Sequence, residues 1–423
     1  MLTVSQDFKT ACLNYPIHNE LDICVVGAGE NNSDLHIYNS NIVSESMKIE
    51  QSICDEADIK FGGAVSSSFE IDVFGVPDLT GKRITVTITQ SVAIPLYPNM
   101  AYPGENIYPG RKVLSEGFKV FTGNVFSCKF NKNHITRKIV AYDDLYWIGN
   151  VNCAEWYDSI QHVGYSHISP SEVLYKYTNV YELRKALCTK YGITEQYPND
   201  VLSADNIDIE KADGKITVAE ILRCICEMSG VFCYLNGEGK LEYHTISENE
   251  NITNIQKPSA ESYGFNYSDC SYEEYERKLS GMYHRAQSGF VNWFGYDGST
   301  SPEMYFLEDN AIVDAYGSFT SWSYEIGVEE DGVQRWKNLA NFLYFAPYRP
   351  MTLKTPCRLW VQLGDKITFK VHSYEMNGDL LTSTEKEITS YVLSRRITGI
   401  QALNDEFTAN AENVKYTERD YEE

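Results

Sequence analysis

Apolar and polar positions along the chain fall into stretches of period two and stretches of helical period. The clearest alternation is at residues 83–89, RITVTIT, where Ile84, Val86 and Ile88 share one face and Thr85, Thr87 and Thr89 the other. Such a pattern sets one face of a strand on a core and the other toward water. Residues 68–73 alternate in the same way through Phe69, Ile71 and Val73, and residues 21–26 form a compact apolar run. Residues 117–147 read as two strands: Phe118, Val120 and Val125 alternate with polar neighbours, Asn131-Lys132-Asn133 supplies a turn, and residues 138–142 return. The second strand stops at Asp143-Asp144. Between 95 and 115, four prolines (Pro95, Pro98, Pro103, Pro109) and three tyrosines (Tyr97, Tyr102, Tyr108) predict a long loop.

After Trp147 the period changes. In residues 179–192 the apolar positions Val180, Leu183, Leu187 and Tyr191 line one helical face, with Asn179 and Glu182 spaced as a capping box and Gly192 placed to end the helix. A second helix is specified by Thr217 and Glu220 as another capping box, Ile216 stapling onto Ile221, and a buried stripe of Val218, Ile221, Leu222, Ile225 and Met228 up to Gly230. Strands at 231–235 and 240–245 then flank Asn236-Gly237-Glu238-Gly239, a hairpin turn by composition. Strands resume at 271. An acidic joint at 329–332 leads to a predicted helix at 333–345, with Val333, Trp336, Ala340 and Leu343 as its stripe and Pro347 and Pro350 beyond it. Strands are expected at 358–361, 365–371 and 391–403, and the polar, acidic residues 404–423 read as a frayed tail.

At 423 residues the chain exceeds what one core serves, which predicts several domains. The 31 tyrosines lean toward a β-rich protein with large half-buried surfaces, since the ring is apolar and the hydroxyl stays wet. A net charge of −23 argues against ordinary duplex binding, which needs Lys and Arg on phosphates. Eleven scattered cysteines imply no paired disulfide framework, and no apolar run is long enough to span a membrane or to form a signal core. The expectation is a chain made and folded in a reducing cytoplasm.

The motifs of catalysis are missing. There is no His-Glu-x-x-His, no Gly-x-Ser-x-Gly and no Gly-x-x-x-x-Gly-Lys, and Gly27-x-Gly29 reads as a turn. With 59 acidic residues, a pair of glycosidase-like carboxylates cannot be singled out. Cys224, Cys226 and Cys233 invite a metal reading, but 224 and 226 stand about 200° apart around a helix, so buried thiols are the better one. His162 and His167 lie near Cys153 without a second ligand pair, Asp143-Asp144 reads as a strand-end turn, and Asn236-Gly237-Glu238-Gly239-Lys240 lacks the oxygens of a calcium loop. No catalytic, cofactor-binding or metal-ligating residue is therefore named, and no cofactor is expected.

The stretch FTGNVFSCKF…TRKIVAYDDLY resembles the end of the first barrel domain in tail-hub proteins of bacteriophages infecting low-GC Gram-positive bacteria. That family includes the N-terminal hub region of siphophage tail-associated lysins and is akin to myophage baseplate hubs. GKITVAEILRCICEMSGVFCYLNGEGKLEY is similar to its second domain, EQSICDEADIKFG to the segment before the alternating strand, and Leu363-Gly364-Asp365 with YVLSRRITGIQAL to its closing motif. The Pro/Tyr-rich loop departs from the family, where this connection is shorter. The resemblance implies an α+β, β-rich fold with two antiparallel tube-like β-barrels. Its layout is a first barrel at 1–146, an α+β domain at 147–265, a second barrel at 266–318 and 349–403, a small helical insert at 319–348 and an acidic tail at 404–423. It implies a structural virion protein: a homotrimeric hub at the tip or baseplate of a phage tail. Three copies would adapt the sixfold tube to threefold symmetry and gate DNA ejection, letting DNA pass without specific binding. The implied partners are the tail tube or distal tail protein, the tape measure protein, and tip or fibre proteins. The chain ends after the hub core, which argues against a lysin. A cell-wall hydrolase and a glycan-binding β module are the other readings.

Overall fold

The computed structural model describes residues 2–53, 63–95, 111–165, 173–196, 206–207, 209, 214–229, 231–245, 260–263, 271–274, 279–285, 302–305, 319–324, 351–377 and 380–409. Helix α1 (Gln6–Asn14) is followed by β1 (Ile17–Val25), β2 (Leu35–Tyr38), β3 (Lys48–Ser52), β4 (Ser68–Phe74), β5 (Arg83–Pro95), β6 (Arg111–Phe130) and β7 (Thr136–Tyr142). The alternating residues do what their period dictates: Phe69, Ile71, Val73, Ile84, Val86 and Ile88 are all buried. At the β6–β7 turn the Asn133 carboxamide accepts from the amides of Ile135 (2.9 Å) and Thr136 (3.1 Å), which supports His134 at φ 56°. Pairing reaches further than the predicted loop allows. Ser91 faces Ser115 and Pro95 faces Arg111, so residues 111–115 are strand. On β6 the residues 111–113 are exposed and Leu114 is only half-buried, so this end of the strand carries a weak period. Residues 96–110 lie outside the described residues.

The middle of the chain supplies α2 (Asp144–Gly149), α3 (Ala154–Ile160), β8 (His162–Tyr165), β9 (Val173–Asn179), α4 (Val180–Tyr191), β10 (Asn206–Ile207), α5 (Val218–Ser229), β11 (Phe232–Leu235) and β12 (Leu241–His244). Asn179 caps α4 by accepting from the amides of Tyr181 and Glu182, and Gly192 closes it at φ 67°. At α5 the box is reciprocal: the Thr217 amide donates to Glu220 at 2.6 Å and the Glu220 amide to the Thr217 hydroxyl at 3.3 Å. Val218, Ile221, Leu222 and Ile225 form its buried stripe. The Met228 side chain and Gly230 lie outside the described residues.

The remainder comprises β13 (Ala260–Tyr263), β14 (Ser271–Glu274), β15 (Leu279–Arg285), β16 (Pro302–Tyr305), β17 (Phe319–Tyr324), β18 (Met351–Pro356), β19 (Lys366–Asn377), β20 (Leu380–Tyr391), β21 (Ser394–Thr398) and β22 (Asn404–Ala409). Four expectations change here. Residues 319–324, assigned to the helical insert, are a strand parallel to β15, while the predicted helix 333–345 lies outside the described residues. Residues 358–361 are a turn, with the Val361 amide on the Arg358 carbonyl at 3.0 Å. Leu359, Trp360 and Val361 are buried as a plug, with Trp360 edge-on to Phe8 at 6.0 Å, so the apolar run signals burial without extended backbone. Stretch 391–403 is broken: β20 ends at Tyr391, and Gly399 at φ 86° turns the chain after β21. Finally, the start of the acidic tail is β22, a strand with Asp405 and Phe407 fully buried.

The architecture is α+β and β-rich. An eleven-stranded antiparallel sheet runs in the order β14-β18-β22-β21-β3-β4-β7-β6-β5-β1-β2. The ladder of β21 on β3 joins strands from the two ends of the chain, with Ser394 opposite Ser52. Two tube-like barrels were expected; among the described residues these strands form this single open order. Smaller sheets are β10-β9-β8, β11-β12, β13-β19-β20 and β16-β15-β17.

Candidate functional site

The β11–β12 hairpin is gripped from several sides. The Cys233 amide donates to the Gly63 carbonyl at 3.0 Å, and the Thr122 hydroxyl of β6 donates to the Gly237 carbonyl at 2.7 Å. Gly237 lies so close to β6 that a Cβ there would stand 1.8 Å from the Lys119 carbonyl oxygen. On the other side, a Cβ on Gly364 would stand 3.2 Å from that of His244. Inside the hairpin the Glu242 carboxylate accepts from Asn236 (2.6 Å) and Tyr234 (3.2 Å) and pairs with His244 Nε2 (3.1 Å). Burial pushes Glu242 up, but hydrogen bonds from His244 and Asn236 outweigh it and hold the carboxyl below its usual range. All four side chains are buried, so the cluster neutralises its own polar groups at a junction and offers no open face to a substrate.

The predicted strand-end turn at Asp143-Asp144 is also a helix cap. Asp143 accepts from the Ser67 amide (2.7 Å) and the Leu145 amide (3.0 Å), starting α2 and holding the entry to β4. Burial pushes its carboxyl from 3.8 up to about 7 against those hydrogen bonds. Asp144 takes a bidentate bond from Arg83 (3.0 and 2.9 Å) and one from Asn124 (2.9 Å). The pair therefore splits into a buried cap and a surface anchor.

Beside it stands an exposed cluster of four aromatic side chains. A bulge between Val125 and Ser127 takes Phe126 out of the alternation and leaves it 47% exposed. It meets Tyr142 edge-on at 5.6 Å, Tyr146 at 6.0 Å and Trp147 at 6.1 Å; Tyr142 and Tyr146 stack at 4.1 Å, and Trp147 is 43% exposed. Three supports fix the cluster: the bulged strand, the end of β7 and the first turns of α2. The sequence holds one signal for it, Tyr142 and Tyr146 four apart across the strand end.

The other singled-out residues do not converge. Cys226 and Cys233 are buried while Cys224 is half-buried, and the Cys233 thiol meets the Gly63 carbonyl at 3.4 Å. His162 is exposed beside Glu182 at 3.5 Å, Cys153 is buried against the Ile216 carbonyl, and His167 lies outside the described residues. Gly27 takes a turn at φ 60°, its amide on Asp34 at 3.0 Å. The Asn236–Lys240 loop is held by the Asn236 carboxamide, which accepts from the Glu238 and Lys240 amides. Among the described residues no three His, Cys, Asp or Glu side chains are grouped to hold a metal ion, and no helix is long and apolar enough to cross a membrane. Two buried ion pairs escape sequence reasoning: Arg184 with Glu195 (3.2 Å), and Arg395 with Asp405 (2.8 Å).

The chain matches no protein-family model and no curated protein sequence. Among solved structures, the 43 kDa tail protein of prophage MuSo2 from Shewanella oneidensis superposes with a TM-score of 0.51 at 12% identity, over 92% of this chain and 97% of that one. The chain has the fold of that phage tail protein. The tail protein of Neisseria meningitidis MC58 aligns with a TM-score of 0.47 at 12% identity, over 93% and 96% of the two chains. A chain of the P2 virion baseplate in its activated conformation aligns with 0.30 at 10%, over 93% and 100%.

Proposed function

We propose that this chain is a structural protein of a phage tail, and specifically the trimeric hub that closes the distal end of the tail tube. The observation that carries the reading is the fold shared with the MuSo2 tail protein over nearly the whole of both chains. The sequence resemblance adds the position in the tail, the relation to hub regions of tail-associated lysins, and two tube-like barrels per chain. Three chains then present six such units to a sixfold tube. The partners are the tail tube or distal tail protein above, the tape measure protein within, and tip or fibre proteins below. DNA passes through without specific binding. Three copies carry three times −23, or −69, formal charges, and acidic side chains at the lumen would repel phosphates during ejection. The work of such a protein is mechanical, so its buried carboxylates serve the fold.

Cryo-electron microscopy of intact particles tests the reading directly. Three copies at the tube end with an acid-rich lumen are expected. A lumen lined mainly by Lys and Arg would overturn the charge argument, and density elsewhere in the particle would overturn the hub. Purified chain that clears a cell-wall suspension would move the assignment to a hydrolase.

A further inference from the structure

We propose that the aromatic cluster of Phe126, Tyr142, Tyr146 and Trp147 is the docking site for residues 96–110 of a neighbouring copy of this chain. Phe126 and Trp147 are 47% and 43% exposed, and they stand over the stacked pair of Tyr142 and Tyr146. A bulge holds Phe126 outward, and a capped helix holds Tyr146 and Trp147. Such fixed, exposed rings lose little entropy when a partner covers them. The segment 96–110 contains three Tyr-Pro dipeptides, Tyr97-Pro98, Tyr102-Pro103 and Tyr108-Pro109, and one formally charged residue, Glu105. Proline beside an aromatic ring is the composition that aromatic-lined surfaces recognise, and a segment with a single charge costs little to desolvate there.

Length and attachment name the copy that supplies it. The segment is pinned at both ends, where Pro95 pairs with Arg111 at the tip of the β5–β6 hairpin. From Arg111 to Phe126 is roughly 50 Å of strand at about 3.3 Å per residue. A segment of this length with both ends pinned reaches out about 25 Å. That reach is about half the length of strand back to the chain's own Phe126, so the occupant is assigned to a neighbouring copy. This inference rests on the proposed self-assembly only for where the segment comes from.

The test uses a fluorescein-labelled peptide of residues 96–110 and a chain in which those residues are replaced by a short Gly-Ser turn, read by anisotropy. Saturable binding is expected, and Phe126→Ser with Trp147→Ser weakens it at least about tenfold. Phe130→Ser, an exposed ring outside the cluster, leaves it unchanged. Absence of saturation, or equal affinity for a Phe126/Trp147 variant that melts like its parent, overturns the site. In the full chain, benzoylphenylalanine at Tyr102, photolysed above the peptide Kd, should crosslink to residues 126–147 in a product of twice the chain mass. A crosslink confined to single chains overturns exchange between copies. Loss of peptide binding in a chain that still forms trimers sinks this inference and leaves the hub intact.

Discussion

At Gly237 the missing side chain is itself a contact. The hairpin turn lies against the β6 backbone so closely that a methyl group would occupy the place of the Lys119 carbonyl. Gly237→Ala is expected to lower stability by about 3 kcal/mol, as overpacking against a backbone that cannot yield. Gly192→Ala, at φ 67° with open space around it, should cost about 1–2 kcal/mol from backbone strain alone. Urea unfolding separates the two, and equal losses would refute the close approach as the cause. Asp143 gives a pH-dependent readout. Its folded-state carboxyl, raised to about 7 by burial, holds a proton that the unfolded chain releases above about pH 4. Its contribution to stability therefore falls as pH rises from about 4 to about 7 and is level above that. Asp143→Asn adds a constant offset, because the amide nitrogen then faces the Ser67 amide, but removes this residue's slope. Melting curves at half-unit pH steps should show parent and variant diverging across that window; parallel curves would contradict a buried, protonated cap.

Arg395 ties three elements together. Its guanidinium donates to Asp405 of β22 at 2.8 and 2.9 Å and to the carbonyls of Val361 and Arg358 in the turn, and Arg395, Asp405 and Val361 are all buried. Asp405 also accepts the Arg358 amide at 3.1 Å. Arg395→Met strands a buried carboxylate and is expected to cost about 3–5 kcal/mol, whereas Arg395→Met with Asp405→Leu should recover at least about half of that. Denaturant unfolding of the pair checks this, and additive losses would mean the two side chains act independently. This arrangement explains why the apolar run at 358–361 is a turn and not a strand. Leu359, Trp360 and Val361 are as apolar as a strand core, but the turn is held without a neighbouring strand: Arg395 donates to the Val361 and Arg358 carbonyls, Asp405 accepts the Arg358 amide, and the Leu2 amide donates to the Trp360 carbonyl. The capped helices were legible for the opposite reason. Thr217 with Glu220, and Asn179 with the amides that follow it, are bonds within one turn and need nothing from the rest of the chain.

For the molecule as a whole, the ends of the chain matter most to the main sheet. β22 lies inside it, paired with β18 on one side and β21 on the other. A chain ending at Leu403 should lose the cooperative transition or become insoluble, while one ending at Ala409 should melt within about 2 °C of the full chain, since sheet interior strands carry the global stability. Circular dichroism melts decide between them, and a stable chain ending at Leu403 would remove β22 from the core. The same sheet bears on assembly. One sheet links both ends of the chain and carries both the exposed aromatic cluster and the β5–β6 hairpin, the two features that the docking proposal joins.

What the sequence determined by itself is everything set by near neighbours: which residues alternate, where the α4 and α5 helices are capped, and how the turns at Asn133 and Asn236 close. Period and capping act over a few residues, so their energies are written locally. Tertiary structure alone decided which strands meet. Ser52 and Ser394 face each other at 2.9 Å across 342 residues, and no periodicity in either strand names the other. It also decided that residues 404–409 enter the sheet, that Phe126 leaves the alternation at a bulge, and that Arg184 and Arg395 are buried with carboxylates. Each of these depends on what the rest of the molecule places nearby: long-range pairing is selected by the fit and desolvation of whole surfaces, which a local pattern does not contain.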